Sequence, residues 1–147
     1  MIDLSNNSMN FEEWFTQQFR DTLNQPLAPS DGIPDSELTA QLGTTVIPAA
    51  MRAYYRVAGN HWLNRDHNEL LDPASLESID GHTIFMDENQ LVVQWAIRDS
   101  DLTEDDPVVY QKVYRPDSTW YPEKFTFSRF MIAMWQWILT GVDPTSE

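Results

Sequence analysis

Apolar residues recur along the chain with two different periods, and the change from one to the other separates strands from helices. In residues 91–97 the period is two: Leu91, Val93, Trp95 and Ile97 fall on one face, while Val92, Gln94, Ala96 and then Arg98 fall on the other, because successive side chains of a strand point to opposite sides. Residues 83–86 form a second run of types that fit a pleated, half-buried surface, and Asp87, Glu88, Asn89 and Gln90 divide the two. This predicts a β-hairpin with a four-residue polar turn in which Asn89 takes the left-handed conformation. The wholly apolar face is expected on the core. A slip of one residue would put Trp95 in water.

Elsewhere the spacing is helical. Asn10 with Glu13 three positions on reads as a capping box, followed by the stripe Phe11, Trp14, Phe15, Phe19 and Leu23, which ends near Asn24. Pro26, Pro29, Gly32 and Pro34 then mark a connector. Residues 36–42 predict a short helix with Asp35 as cap and Gly43 as stop. Pro48 suits the first position of a further helix that Gly59 ends, with Met51, Tyr54, Tyr55 and Ala58 on its apolar face.

Between residues 60 and 81 the pattern weakens. His61, Trp62 and Leu63 read as the start of a strand, Leu70 and Leu71 as more of a sheet, and Pro73 as opening a turn of helix through Leu76. Residues 108–114 predict another strand, with Val109, Gln111 and Val113 on one face and Val108, Tyr110, Lys112 and Tyr114 on the other. Residues 115–123 are expected to turn the chain and carry Trp120. Thr126 is the expected cap of the last helix, and Phe125 before it is placed to pack on Phe130 as a hydrophobic staple. Phe127, Phe130, Met131, Met134, Trp135 and Ile138 supply a wide stripe to press on the sheet, and Gly141 ends it.

Composition narrows the class of protein. A chain of 147 residues suits one domain, able to bury roughly 70% of its unfolded surface. With 41% hydrophobic residues and six Trp it has too much apolar material for a disordered acidic chain. Nine Lys and Arg stand against 23 Asp and Glu, a formal net charge of -14, which repels nucleic-acid phosphates and anionic lipid and draws a cationic partner. No cysteine is present, so disulfides, thiol nucleophiles and thiolate metal sites are excluded. The amino terminus lacks a basic region followed by an apolar run, and no stretch approaches a membrane span. A soluble cytoplasmic protein is expected.

Candidate chemistry is sparse. His61 and His67 lie six apart with Asp66 and Asp72 nearby, a spacing that matches neither a helical pair nor the common zinc patterns, so no metal site is expected. Asp87 with Glu88, or Asp105 with Asp106, could act as acid and base, but adjacency in sequence does not set the separation such chemistry needs. Glycine-rich phosphate loops, dinucleotide fingerprints and nucleophile elbows are absent. We expect no catalytic residues and no cofactor. The dense run Asp99, Asp101, Glu104, Asp105 and Asp106 ahead of Pro107 reads either as a solvated connector or as half of a charged protein interface.

Several of these segments together resemble the SUKH superfamily of bacterial immunity proteins, to which the bacterial protein Syd and fungal cell-wall synthesis regulators also belong. The resemblance covers roughly residues 42–140: Ile47-Pro48 opening a helix with Tyr54-Tyr55 and Ala58-Gly59-Asn60, then residues 84–90 ending in Glu88-Asn89-Gln90, then Trp95-Ala96-Ile97, then Asp105-Asp106-Pro107-Val108. It differs at Asn60-His61, where relatives often carry Asn-Gly. The resemblance implies an α+β domain with a central, mostly antiparallel sheet on which N-terminal helices and a C-terminal amphipathic helix pack. It further implies a non-enzymatic protein that binds and neutralises a polymorphic toxin, and the acidity here fits a basic, nucleic-acid-acting one. The expected contact residues are Asp87, Glu88, Asp99, Asp101, Glu104, Asp105 and Asp106. A scaffold or regulator without a toxin partner is the alternative, and a small carboxylate hydrolase a third reading.

Overall fold

The computed structural model describes residues 10–90, 92–113 and 119–141. Helix α1 (Phe11–Leu23) starts where the side chain of Asn10 accepts the Glu13 N–H and stops where Asn24 turns left-handed at φ 59. Its stripe is buried as expected through Trp14, Phe15 and Phe19. Helix α2 is Asp35–Leu42. Asp35 is therefore its first residue and not its cap; Pro34 precedes it, and the Asp35 carboxylate pairs with Arg52 at 3.0 Å. Helix α3 (Ala49–Ala58) likewise begins one residue after Pro48. Its buried face is wider than the periodicity implied, since Ala50 and Ala53 join Met51, Tyr54, Tyr55 and Ala58.

The sheet is antiparallel throughout. Strands β1 (Asn68–Leu70), β3 (His82–Glu88), β4 (Val93–Arg98), β5 (Val108–Val113) and β6 (Trp120–Thr126) lie in that order, and β2 (Glu77–Ile79) pairs the first half of β3. The expected hairpin is β3 and β4, with Trp95 and Ile97 in the core and Val93 packed against it; Leu91 lies outside the described residues. Asn89 does not take a positive φ, because β3 runs on to Glu88 and the register shifts between Ile84 and Met86. This irregularity turns both Phe85 and Met86 into the core.

The left-handed turn lies at the other end of β3. Ile79 pairs with His82 across Asp80 (φ 53) and Gly81 (φ 77), the two-residue Asp-Gly loop that matches the twist of a hairpin. The strand expected from His61 is instead a 3-10 turn (Trp62–Asn64), closed where His61 Nδ1 accepts the Leu63 N–H at 3.2 Å. Of the segment 115–123 expected to turn the chain, residues 115–118 lie outside the described residues, and from Trp120 on it is strand β6, a sheet edge, where Pro122 is tolerated.

Helix α4 (Phe127–Thr140) ends as expected at Gly141, φ 75. It packs with α1 and α3 over one face of the sheet, and Phe19 stacks on Trp135 with centroids 4.0 Å apart. A polar thread crosses this apolar layer. Trp135 Nε1 donates to the Tyr54 hydroxyl at 2.9 Å, Tyr54 donates to Asn64 Oδ1, and Asn64 Nδ2 donates to the Ala58 carbonyl at 2.6 Å. Each buried donor in it has a partner, which is what makes a polar group in a core tolerable. The arrangement is an α+β fold with helices on one face of the sheet.

Candidate partner-binding site

At the end of β3, Glu88 pairs with Asn68 of β1, and Asp87 pairs with Glu69 of β1 and Gln94 of β4. Paired residues share a face of the sheet and neighbours alternate. Asp87 and Glu69 therefore belong to the face away from the helices, and Glu88 and Asn68 to the face the helices cover. Asp87 accepts Gln94 Nε2 at 2.8 Å, and Glu88 Oε1 accepts the Val92 N–H at 3.1 Å. Glu123 of β6 comes close on the helix side, where its Oε2 accepts Trp95 Nε1 at 3.2 Å. Two carboxylates thus flank each side of this end of the sheet. Glu69 and Asp87 are directly opposite one another, a placement of like charges that costs stability.

The acidic run lies beyond the other end of β4, so the structure does not bring the seven expected residues together. A six-residue strand separates the two groups, roughly 20 Å at ~3.4 Å per residue. Within the run the carboxylates divide by role. Asp99 accepts the hydroxyls of Ser78 and Thr83, tying the 3-10 turn after β4 to β2 and β3. Asp101, 8% exposed, pairs with Arg98 at 3.2 Å. Asp106 accepts the Ser128 N–H at 2.9 Å, the Ser128 hydroxyl at 2.6 Å and the Thr126 hydroxyl at 3.0 Å, so it caps α4 from outside the helix. Thr126, the residue expected to cap, makes no side-chain cap bond of its own. Only Glu104 and Asp105 of the five are exposed, and the Asp105 carbonyl accepts the Ala50 N–H at the start of α3.

The Asp-Asp-Pro step is therefore a clamp between two helix N-termini. Asp105 holds α3 through its backbone, Asp106 holds α4 through its carboxylate, and the Pro107 carbonyl takes the Phe127 N–H at 2.8 Å. A negative charge at a helix start also complements the helix dipole. These constraints leave Glu104 and Asp105 as the acids of the run that face solvent.

The histidines do not converge. His61, 6% exposed, lies against Trp135 with centroids 4.6 Å apart, and burial pushes its pKa below the ordinary value despite the opposing pull of Asp31. His67 meets Trp137 edge-on, and His82 stacks on Trp120 on the other face of the sheet. Among the described residues no group of three His, Asp or Glu is placed to hold a metal ion. Burial raises the Tyr54 and Tyr55 hydroxyls far above the usual tyrosine range, which keeps both neutral donors.

Exposed aromatics narrow the choice of contact surface. Trp62 is 60% and Tyr121 45% exposed, whereas Tyr110 is half-buried beside the Arg98 guanidinium. Tyr121 pairs with Gln111 and Gln111 with Trp95, so Tyr121 lies on the helix side of the sheet, at its edge. Glu69, Glu123 and Asn68 were not singled out from sequence. Glu69 was hidden in a three-residue strand and Glu123 in a segment read as a turn.

The structure thus defines an α+β domain with an acidic sheet end, exposed aromatics, and, among the described residues, no helix long and apolar enough to cross a membrane. No family model, curated protein or solved structure matches the chain.

Proposed function

We propose that the protein is a non-enzymatic immunity protein that binds a basic, nucleic-acid-acting bacterial toxin and blocks it by occupying the surface the toxin uses for phosphates. The observation that carries this reading is the like-charge pair Glu69 and Asp87, set opposite one another on the sheet face away from the helices, with Glu88 and Glu123 on the other face of the same sheet end, in a chain of net charge -14. Repulsion of that kind lowers the stability of the free protein and is relieved when a cationic surface docks. Arginine and lysine are what a nuclease presents to a phosphate backbone. The resemblance of residues 42–140 to SUKH immunity proteins points the same way.

Charge supplies rate and orientation, and slow dissociation needs buried anchors. Among the described residues, Tyr121 and Trp62 are the large exposed aromatics suited to that role. Glu104 and Asp105 form a second acidic step at the far end of the hairpin and contribute steering. The test is growth of cells expressing the toxin domain encoded beside this protein's gene, with and without the protein in the same cytoplasm. Rescue, with a complex that survives gel filtration, supports the reading. Continued killing with both proteins folded and expressed sinks it in favour of a scaffold or regulator.

A further inference from the structure

A cavity of about 190 Å³ opens between α4 and the acidic end of the sheet, walled by Phe130 and Trp137 from the helix and by Asn68, Glu88, Trp95 and Glu123 from the strands. A cavity of about 150 Å³ lined by apolar side chains accepts benzene. The volume here therefore suits one six-membered aromatic ring with a polar substituent. Polar groups of both kinds line it. Glu88 and Glu123 are acceptors, whereas the Asn68 amide and the indoles of Trp95 and Trp137 carry N–H donors. Asn68 Nδ2 lies 3.1 Å from the Met134 sulfur, a weak acceptor. Glu88 Oε1 accepts the Val92 N–H at 3.1 Å, which uses one of about four lone-pair sites on that carboxylate. Glu123 accepts the Trp95 indole N–H and has a further partner.

Such a lining selects against charge. An anion meets two carboxylates, and a cation meets N–H donors in a space where Glu123 is already engaged. A wholly apolar occupant takes the Glu88 carboxylate out of water without giving it a donor, which is costly. A neutral ring with one hydroxyl answers each constraint, because the ring packs on aromatic walls and on the Met134 sulfur while the O–H donates to a carboxylate. We propose that this cavity receives one tyrosine side chain of the protein partner, with its hydroxyl donating to Glu88 and its ring packed among Trp95, Phe130 and Trp137. Glu123 stays with the Trp95 indole. Exposed Tyr121 lies on the same face of β6 as Glu123, two residues away, so apolar surface continues from the cavity toward the sheet edge. A protein covers that area and a lone small molecule does not. The inference deepens the proposed function and rests on it for the source of the tyrosine. A buried aromatic anchor turns electrostatic steering into slow dissociation.

The test uses the whole chain and begins without a toxin. N-acetyl-tyrosine amide is titrated into the protein while the indole N–H resonances of Trp95 and Trp137 are followed by heteronuclear NMR. N-acetyl-phenylalanine amide, the same ring without the hydroxyl, N-acetyl-arginine amide and methyl glucoside serve as controls. The expected result is a saturable shift of both indoles by the tyrosine compound, with a Kd on the order of millimolar for so small a ligand. The three controls should bind at least about fivefold more weakly. Ala133→Leu, which fills the cavity from α4, should abolish the shift, and Glu88→Gln should weaken the tyrosine compound by about threefold. No saturable shift in the folded protein, or any control binding as tightly as the tyrosine compound, would overturn the proposal. So would an Ala133→Leu protein that loses the tyrosine compound yet rescues cells as the parent does. Rescue by the parent without tyrosine binding would remove the cavity's role and leave the proposed function standing; tyrosine binding without rescue would overturn the proposed function and, with it, the toxin as the tyrosine's source.

Discussion

The carboxylate of Asp106 accepts the backbone N–H of Ser128 at 2.9 Å, across 22 positions of sequence. A residue that belongs by sequence to a run of surface acids is therefore the cap of the C-terminal helix. Replacing it with Ala should destabilise the fold by about 1–3 kcal/mol, from the lost cap and an unsatisfied N–H. Glu104→Ala, at an exposed position two residues earlier, should change stability by less than about 0.5 kcal/mol. Urea midpoints of the two variants decide between a cap and a merely charged loop; equal midpoints would remove the capping role.

Tyr54→Phe tests the polar thread in the core. The hydroxyl receives the Trp135 indole N–H and donates to Asn64, so its loss strands one buried donor and one buried acceptor. A cost of about 1–3 kcal/mol is expected, although the substitution changes no apolar contact. Phe19→Ala, which empties the position stacked on Trp135, should cost about 3–5 kcal/mol. If Tyr54→Phe leaves the denaturation midpoint unmoved, the thread does not hold the core.

Stability should fall as the medium is acidified below the ordinary histidine value of 6.5, because burial depresses the His61 pKa in the folded state. The unfolded chain then takes up a proton that the folded chain refuses. Above that value His61 is neutral in both states and contributes no slope. Between about pH 6.5 and pH 5 the urea midpoint should drop, and His61→Gln should flatten the drop. An unchanged slope in the variant would assign it to other groups.

Two glycines should respond differently to Ala. A Cβ at Gly32 would stand 1.9 Å from the Arg56 carbonyl oxygen, backbone that cannot turn aside. Gly43 has φ +58 with open space around it. Gly43→Ala should cost about 1–3 kcal/mol of local backbone strain, and Gly32→Ala more, since the connector must move off α3. Thermal melting of both variants gives the order, and a smaller shift for Gly32 would show that the connector yields.

Much of the architecture was legible because its determinants are local. The three-four spacing of Trp14, Phe15 and Phe19, the alternation of Trp95 and Ile97, the Asn10 cap and the stop at Gly141 depend on residues a few positions apart. The shorter elements were not. Strand β2 is three exposed residues, and its signal is the Asp80-Gly81 turn and not its own hydrophobicity. Strand β6 carries Pro122 and alternates weakly because it is a sheet edge. Asn89, an apparent turn former, was overridden by the register of β3 against β4.

The candidate site divides in the same way. Acidity, the lack of cysteine and the amphipathic helices are properties of the residues themselves, so the sequence alone established a negative chain with enough apolar residues for one core. Tertiary structure decided which acids remain outside. It turned Asp99, Asp101 and Asp106 inward to hydroxyls, a guanidinium and a helix N-terminus, and brought Glu69 and Glu123 beside Asp87 and Glu88 from strands distant in sequence. The physical reason is that a carboxylate's role depends on the donors around it, and those donors are placed by strand register and helix packing rather than by neighbouring residues.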